Sequence, residues 1–206
     1  MAITRARTSS VAQGPSTRKT VLGGNDVILG GSFDAIGTTT VGSGGQSSII
    51  FSSIPSTYKH LQIRYTGRVN VASNYGQSIS IRFNSDSGSN YARHVLAAYT
   101  GGYTATTSFS DANQNIMQVF GGLSGGNWTS QMQGGGVIDI LDYQNTNKFK
   151  TVRSLAGAES NDSSTFINIL GLSSGLWRST SAITSIELSG NADFVQHSQF
   201  ALYGIK

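Results

Sequence analysis

Ile49-Ile-Phe-Ser-Ser-Ile-Pro-Ser-Thr-Tyr-Lys-His-Leu-Gln-Ile-Arg-Tyr-Thr-Gly-Arg68 carries two short strand signals joined by a turn at Pro55. In the second, Leu61, Ile63 and Tyr65 alternate with Gln62, Arg64 and Thr66, the two-residue period of a half-buried strand. Such alternation buries one face and predicts Gln62, Arg64 and Arg68 on the other. Before this stretch the chain reads as an unpacked arm. After it, strand patterns succeed one another to the last residues.

Working toward the C-terminus, Ile79, Ile81 and Phe83 share a face within 78–84, and 91–99 is strand-like with weaker alternation. The stretch 101–111 reads as a long loop or a hairpin, 115–120 as a strand, and 121–136 as a second long polar connection bearing Trp128. Apolar character on both faces predicts a central strand over 137–143. Strand patterns recur at 148–156, 165–170, 182–188 and 199–205, and only 172–180 has room for a helical turn. No segment keeps a 3.6-residue period over ten or more residues, and no internal repeat is visible. About ten or eleven short strands with Gly-rich connections predict an all-β antiparallel sandwich of jelly-roll type.

Toward the N-terminus the composition changes. Residues 1–45 hold few apolar side chains and are punctuated by Gly14-Pro15, Gly23-Gly24, Gly30-Gly31 and Gly44-Gly45. Two readings stand side by side: a solvated tail, or an extended arm ordered against a partner. The candidate arm contacts are the cations Arg5, Arg7, Arg18 and Lys19 and the apolar anchors Val21, Leu22, Val27, Ile28, Leu29 and Phe33. The domain boundary falls at 45/46, with 36–41 as a candidate first strand of the sandwich that fills 46–206.

The net charge of +4 belongs to this arm. Residues 1–25 carry four of the 14 basic residues and no acid, and the remainder balances ten against ten. Four cations without interleaved aromatics make a weak polyphosphate site, so nucleic acid is not an expected partner. No apolar run approaches the roughly 18 residues of a membrane helix, and no apolar stretch follows the first arginines as in a signal peptide. A soluble protein made in a cytoplasm is expected, with no membrane partner. Charged residues are only 12% of the 206, a neutral surface suited to packing against other protein.

The chain has no Cys, which removes thiolate chemistry and redox roles. Gly122-Leu-Ser124-Gly-Gly126 and Gly171-Leu-Ser173-Ser-Gly175 match the nucleophile-elbow pattern, with Asp193 and His197 following the second. Neither serine precedes an amphipathic helix, and no catalytic residue is expected. Asn84-x-Asp86-x-Gly88-x-Asn90 spaces oxygens like part of a calcium loop but lacks the distal Glu, so it reads as a turn. His60, His94 and His197 lack zinc-ligand spacing, and no metal or cofactor is expected. Asp139 and Asp142 differ by an odd offset and cannot converge on one strand face.

Several stretches resemble virion structural proteins of tailed bacteriophages, especially those of cyanobacteria and marine bacteria. They are the first ten residues Met1-Ala-Ile-Thr-Arg-Ala-Arg-Thr-Ser-Ser10, the segments 51–64, 82–91, 140–151 and 175–185, and the ending Ser198-Gln-Phe-Ala-Leu-Tyr-Gly-Ile-Lys206. The resemblance implies a jelly-roll module with an N-terminal arm, used as a capsid cement (decoration) protein on the outer surface of the virion. The implied partners are the major capsid protein and further copies of the chain, as a homotrimer. The alternative it implies is a tail-fibre, adaptor or receptor-binding component, in which Tyr99, Tyr103 and Trp128 would meet a host glycan.

Overall fold

The computed structural model describes residues 17–22, 25–30, 32–100, 105–161 and 168–206. Its regular elements are all strands: β1 (Thr17–Leu22), β2 (Asn25–Gly30), β3 (Phe33–Thr40), β4 (Gln46–Phe51), β5 (His60–Gly67), β6 (Gln77–Phe83) and β7 (Tyr91–Thr100). They continue with β8 (Ala105–Gln114), β9 (Met117–Leu123), β10 (Gly134–Leu141), β11 (Lys150–Ala158), β12 (Asn168–Trp177), β13 (Ile186–Phe194) and β14 (Gln199–Ile205). β3 to β14 form an antiparallel sandwich of an eight-stranded sheet, β3-β14-β5-β10-β11-β12-β7-β8, and a four-stranded sheet, β4-β13-β6-β9.

The pairing is nested. β3 lies beside β14, β4 beside β13, β5 beside β10 and β6 beside β9, alternately in the large and small sheets. This is the wrapping of a long hairpin that makes a jelly roll. Two strand pairs interrupt it: β7–β8 between β6 and β9, and β11–β12 between β10 and β13. All four inserted strands join the large sheet beyond β10, which is why eight strands face four.

Pro55 therefore does not turn one strand back on its neighbour. β4 belongs to the small sheet and β5 to the large one, and residues 52–59 arch between them. The arch is held from several sides: Ile54 N–H donates to Thr184 O, Lys59 N–H to Ile205 O, and the Tyr143 hydroxyl to Pro55 O. The alternation of β5 holds, with Leu61, Ile63 and Tyr65 buried against Ile49, Ile81, Leu188, Phe200 and Leu202 in one core. Fully burying each such side chain contributes roughly 1.5–3 kcal/mol.

Arg68 departs from the expectation of exposure. It is 9% exposed, and its guanidinium donates to Thr129 O at 2.8 Å and Gly126 O at 2.7 Å. Together with the Ser124 hydroxyl on Met132 O, it staples the 124–133 loop to the end of β5. That loop is shorter than the polar composition of 121–136 suggests, because β9 and β10 take residues from both of its ends. Of the two readings of 101–111, the hairpin holds, with β8 paired on β7, and 172–177, in the one segment with room for a helical turn, is the second half of β12.

The described residues include part of the arm region. Arg5 and Arg7 lie outside the described residues. Residues 17–30 pair as β1 with β2, setting Arg18 opposite Leu29, Lys19 opposite Ile28, Val21 opposite Asp26 and Thr20 opposite Val27. Phe33 opens β3, so the first strand of the sandwich begins ahead of residue 46.

Candidate interaction surface

The small sheet covers the inner face of the large one closely. β9 crosses beneath β11, β12 and β7, and β12 adapts by presenting small residues inward. Ile169, Gly171, Ser173 and Gly175 are buried, while Leu170 and Leu172 point away from the core at 57% and 52% exposure. A Cβ on Gly171 would sit 2.3 Å from Phe120 Cδ1, and one on Gly175 would sit 2.3 Å from Met117 Sδ. The Phe120 N–H donates to Ser173 Oγ at 2.8 Å.

The Gly-x-Ser-x-Gly pattern is thus a packing device. Ser173 is in mid-strand, buried and hydrogen-bonded to β9, with no strand-to-helix turn to lift it. Ser124 is buried too, with its hydroxyl on Met132 O. A test follows from the neighbours' stiffness. Gly171→Ala should destabilise by about 2–3 kcal/mol because the ring of Phe120 cannot bend away, whereas Gly175→Ala should cost less because Met117 can rotate. Denaturant midpoints of the two variants read the difference, and equal losses would sink the explanation.

Inverting β12 puts an apolar row on the outer face of the large sheet. Val137 on β10 pairs with Leu155 on β11, Leu155 with Leu172 on β12, and Leu172 with Leu96 on β7. Directly paired residues share a face, so four aliphatic side chains stand abreast across four strands. Leu96 and Leu155 are 50% and 52% exposed. One level along the strands lie Asp139, Arg153, Ser174 and His94, and one level the other way lie Gly135, Gly157, Leu170 and Ala98. A shallow groove of about 320 Å³ runs between His94, Leu96, Arg153, Leu172 and Ser174.

Farther along the same face, the row ends in fixed polar groups. Arg64 lies 5.0 Å from the centre of the Phe33 ring and 5.3 Å from that of Tyr203, and it donates to Gln62 Oε1, while Gln62 Nε2 donates to Asp139. Phe33, read as an arm anchor, is here the stacking partner of a cation in its own sheet.

The other sequence candidates are structural. Asn84 and Ser85 both have positive φ, 51° and 57°, in a turn closed by the Asp86 N–H on Phe83 O. The Asp86 carboxylate accepts from Trp177 Nε1 at 2.7 Å, Gly88 N at 2.8 Å and Asn90 Nδ2 at 3.0 Å, so internal donors fill the place of an ion. Asp142 turns the chain after β10 with φ 47° and pairs with Lys148, whose hydrogen bond is the main cause of its lowered pKa. Asp139 instead stands on the sheet face beside Gln62. Among the described residues no group of three His, Asp or Glu is placed to hold a metal.

Trp128 is 2% exposed and cannot stack on a sugar, and Tyr99 is half-buried edge-on against Phe120. Tyr103 lies outside the described residues. A further recess of about 640 Å³ is lined mostly by polar residues, Asn70, Gln131, Gln133, Gln196 and His197, but the guanidinium at its wall, Arg68, is already committed to two carbonyls. Exposed apolar area is concentrated in the leucine row, which with Leu170 gathers four of the nine exposed large hydrophobics among the described residues, and its sequence signal is the set of leucines at alternate positions opposite glycine and serine. Comparison of the chain with protein-family models, with curated proteins and with solved structures finds no match.

Proposed function

We propose that this chain is a structural component of a tailed-phage virion, a cement protein that binds the outer capsid lattice and stabilises the shell. The observation that carries the reading is a surface made for protein contact, an apolar row four strands wide on a nearly neutral sandwich, which suits a module that assembles with further copies for avidity. The jelly-roll wrapping agrees with the resemblance of the sequence, and the clustered cations ahead of it suit an acidic patch on the major capsid protein. Avidity is the mechanism. A symmetric oligomer engages several shell subunits together, and each arm adds contact beyond the footprint of its sandwich.

The tail-fibre alternative is less favoured, because Trp128 is buried and Tyr99 half-buried.

The test is binding of the purified full chain to capsid shells lacking it. Replacing Arg5, Arg7, Arg18 and Lys19 together by Glu should weaken binding at least about tenfold, with salt dependence reduced, since each cation contributes through the local field. Unchanged binding by that variant removes the arm from the mechanism. A count of only a few tens of copies or fewer per particle removes the capsid role itself.

A further inference from the structure

Leu96, Leu155, Leu170 and Leu172 are each half-exposed and contiguous, leaving roughly 400 Å² of leucine surface in one patch, as large as an isolated monomer ordinarily shows. The inward side of the same strands is small because β9 lies close, so these leucines have no place in their own core. We infer that this face packs on the same face of a second copy of the chain, about a two-fold axis running along the strands midway between β11 and β12. The inference is drawn from the sheet face alone and stands whether or not the chain is a capsid component.

The axis follows from what each residue would meet. It exchanges β11 with β12 and β10 with β7 while keeping each level along the strands. Leu155 then faces the partner's Leu172, and Val137 faces the partner's Leu96, closing the apolar row on itself. One level along, Asp139 faces the partner's His94 and Arg153 faces the partner's Ser174. One level the other way, Leu170, the most exposed of the four at 57%, faces the partner's Gly157. A missing side chain there leaves a hole opposite a protruding one. Each contact occurs twice, as two-fold symmetry requires.

An axis along the leucine row would instead oppose Asp139 and Arg153 to the partner's Gly135 and Gly157, stranding both charges. Sheets that pack face to face lie about 10 Å apart with strands within about 30°, so contacts near the axis keep this register. The leucines supply about half of the roughly 800 Å² per partner of a standard interface, and the flanking levels supply the rim.

Sedimentation of the full chain between about 1 and 100 µM tests the pairing. The expected species has twice the 21.7 kDa chain mass. Leu172→Glu should weaken it at least about 100-fold while leaving the unfolding midpoint of the dissociated chain, measured at the lowest concentration, unchanged, because the side chain is half-exposed in the single chain. A charge exchange then tests the axis. Asp139→Lys alone and His94→Asp alone should each weaken association about tenfold, and the two together should restore it.

The rescue cannot arise inside one copy, where three strand spacings separate the two residues by roughly 14 Å. A chain that stays monomeric at the highest concentration overturns the inference. So does an oligomer, a trimer included, that Leu172→Glu leaves intact, which would place self-association elsewhere or assign the face to the arm or another protein. Loss by both single variants without rescue overturns the axis.

Discussion

Lys150→Met is expected to lower stability by about 2–4 kcal/mol, the penalty for stripping the shared donor from three committed carbonyls. Lys150 opens β11 with its side chain turned inward, and it is fully buried. Its ammonium donates to Asn145 O at 2.6 Å, Lys148 O at 3.1 Å and Thr180 O at 3.1 Å, using all three hydrogens. Among the described residues no carboxylate pairs with it. Two loops, 142–149 and 178–185, are tied together at this one atom.

Methionine keeps the length and apolar stem of the side chain but leaves three inward-facing carbonyls without a donor. Removing the charge alone would relieve its desolvation; the acceptors left behind decide the sign. A loss of this size lowers the thermal midpoint by roughly 10 °C in a chain of this length. Lys148→Met, at an exposed residue joined to Asp142, should stay within about 1 kcal/mol.

Burial, and then repulsion from Lys148, pushes the pKa of Lys150 down. Between that lowered value and the unfolded one near 10.4 the unfolded chain holds the extra proton, so this group makes stability rise with pH there. Lys150→Met should flatten that rise. Urea midpoints at pH 7 and pH 10 measure both effects, and a loss under 1 kcal/mol would show that the carbonyls find water instead.

Asp86→Ala should destabilise by about 2–4 kcal/mol, for a related reason. Its carboxylate is the hub that lets a buried tryptophan end in a turn. Trp177 is 2% exposed, packed at 5.4 Å from Phe83 and stacked at 6.4 Å on Tyr91, and its indole N–H reaches only the Asp86 carboxylate in this corner. Alanine leaves that N–H, the Gly88 N–H and the Asn90 amide without their acceptor.

Tyr91 shares the corner: its hydroxyl donates to Asp86 O, and burial pushes its pKa up to about 12. The Trp177 hydrogen bond is the main cause holding the Asp86 carboxyl below the usual carboxylate range. The folded value is thus below the unfolded one. Its contribution is full above about pH 4 and is lost as pH falls through the folded value. Asp86→Asn keeps one acceptor for the indole but turns an amide toward the other donors. It should cost less than alanine at pH 7 and lose less than wild type between pH 5 and pH 2. Equal acid sensitivity of wild type and Asp86→Asn would remove Asp86 as a source of it.

These two corners show where sequence reasoning stops. Nothing in the run around Lys150 marks it as buried, since lysine after Lys148 and Phe149 reads as surface. Only the closure of β11 beside Trp177 takes it inside. Arg68 is the same case, since continuing the alternation of β5 puts it outward, but the chain has left the sheet by then and the 124–133 loop folds over it. Trp128, on a polar connection, reads as a free aromatic until that loop packs.

The period-two alternation of Leu61–Tyr65 and Phe200–Leu202, the lack of any helical period and the Gly-rich connections were sufficient for an all-β sandwich, because side-chain alternation is a local property of an extended chain. They could not say which face of a strand is inner. In β12 the leucines alternate with glycine and serine, and burial by hydrophobicity alone puts the leucines inside. The tertiary structure decides otherwise, because β9 approaches the large sheet so closely that only Gly171, Ser173 and Gly175 fit beneath it. Nor could local pattern show that Pro55 carries the chain from one sheet to the other, or that β7–β8 and β11–β12 widen only one of them. Those facts depend on contacts between residues distant in the chain, and the exposed leucine row exists only once they are made.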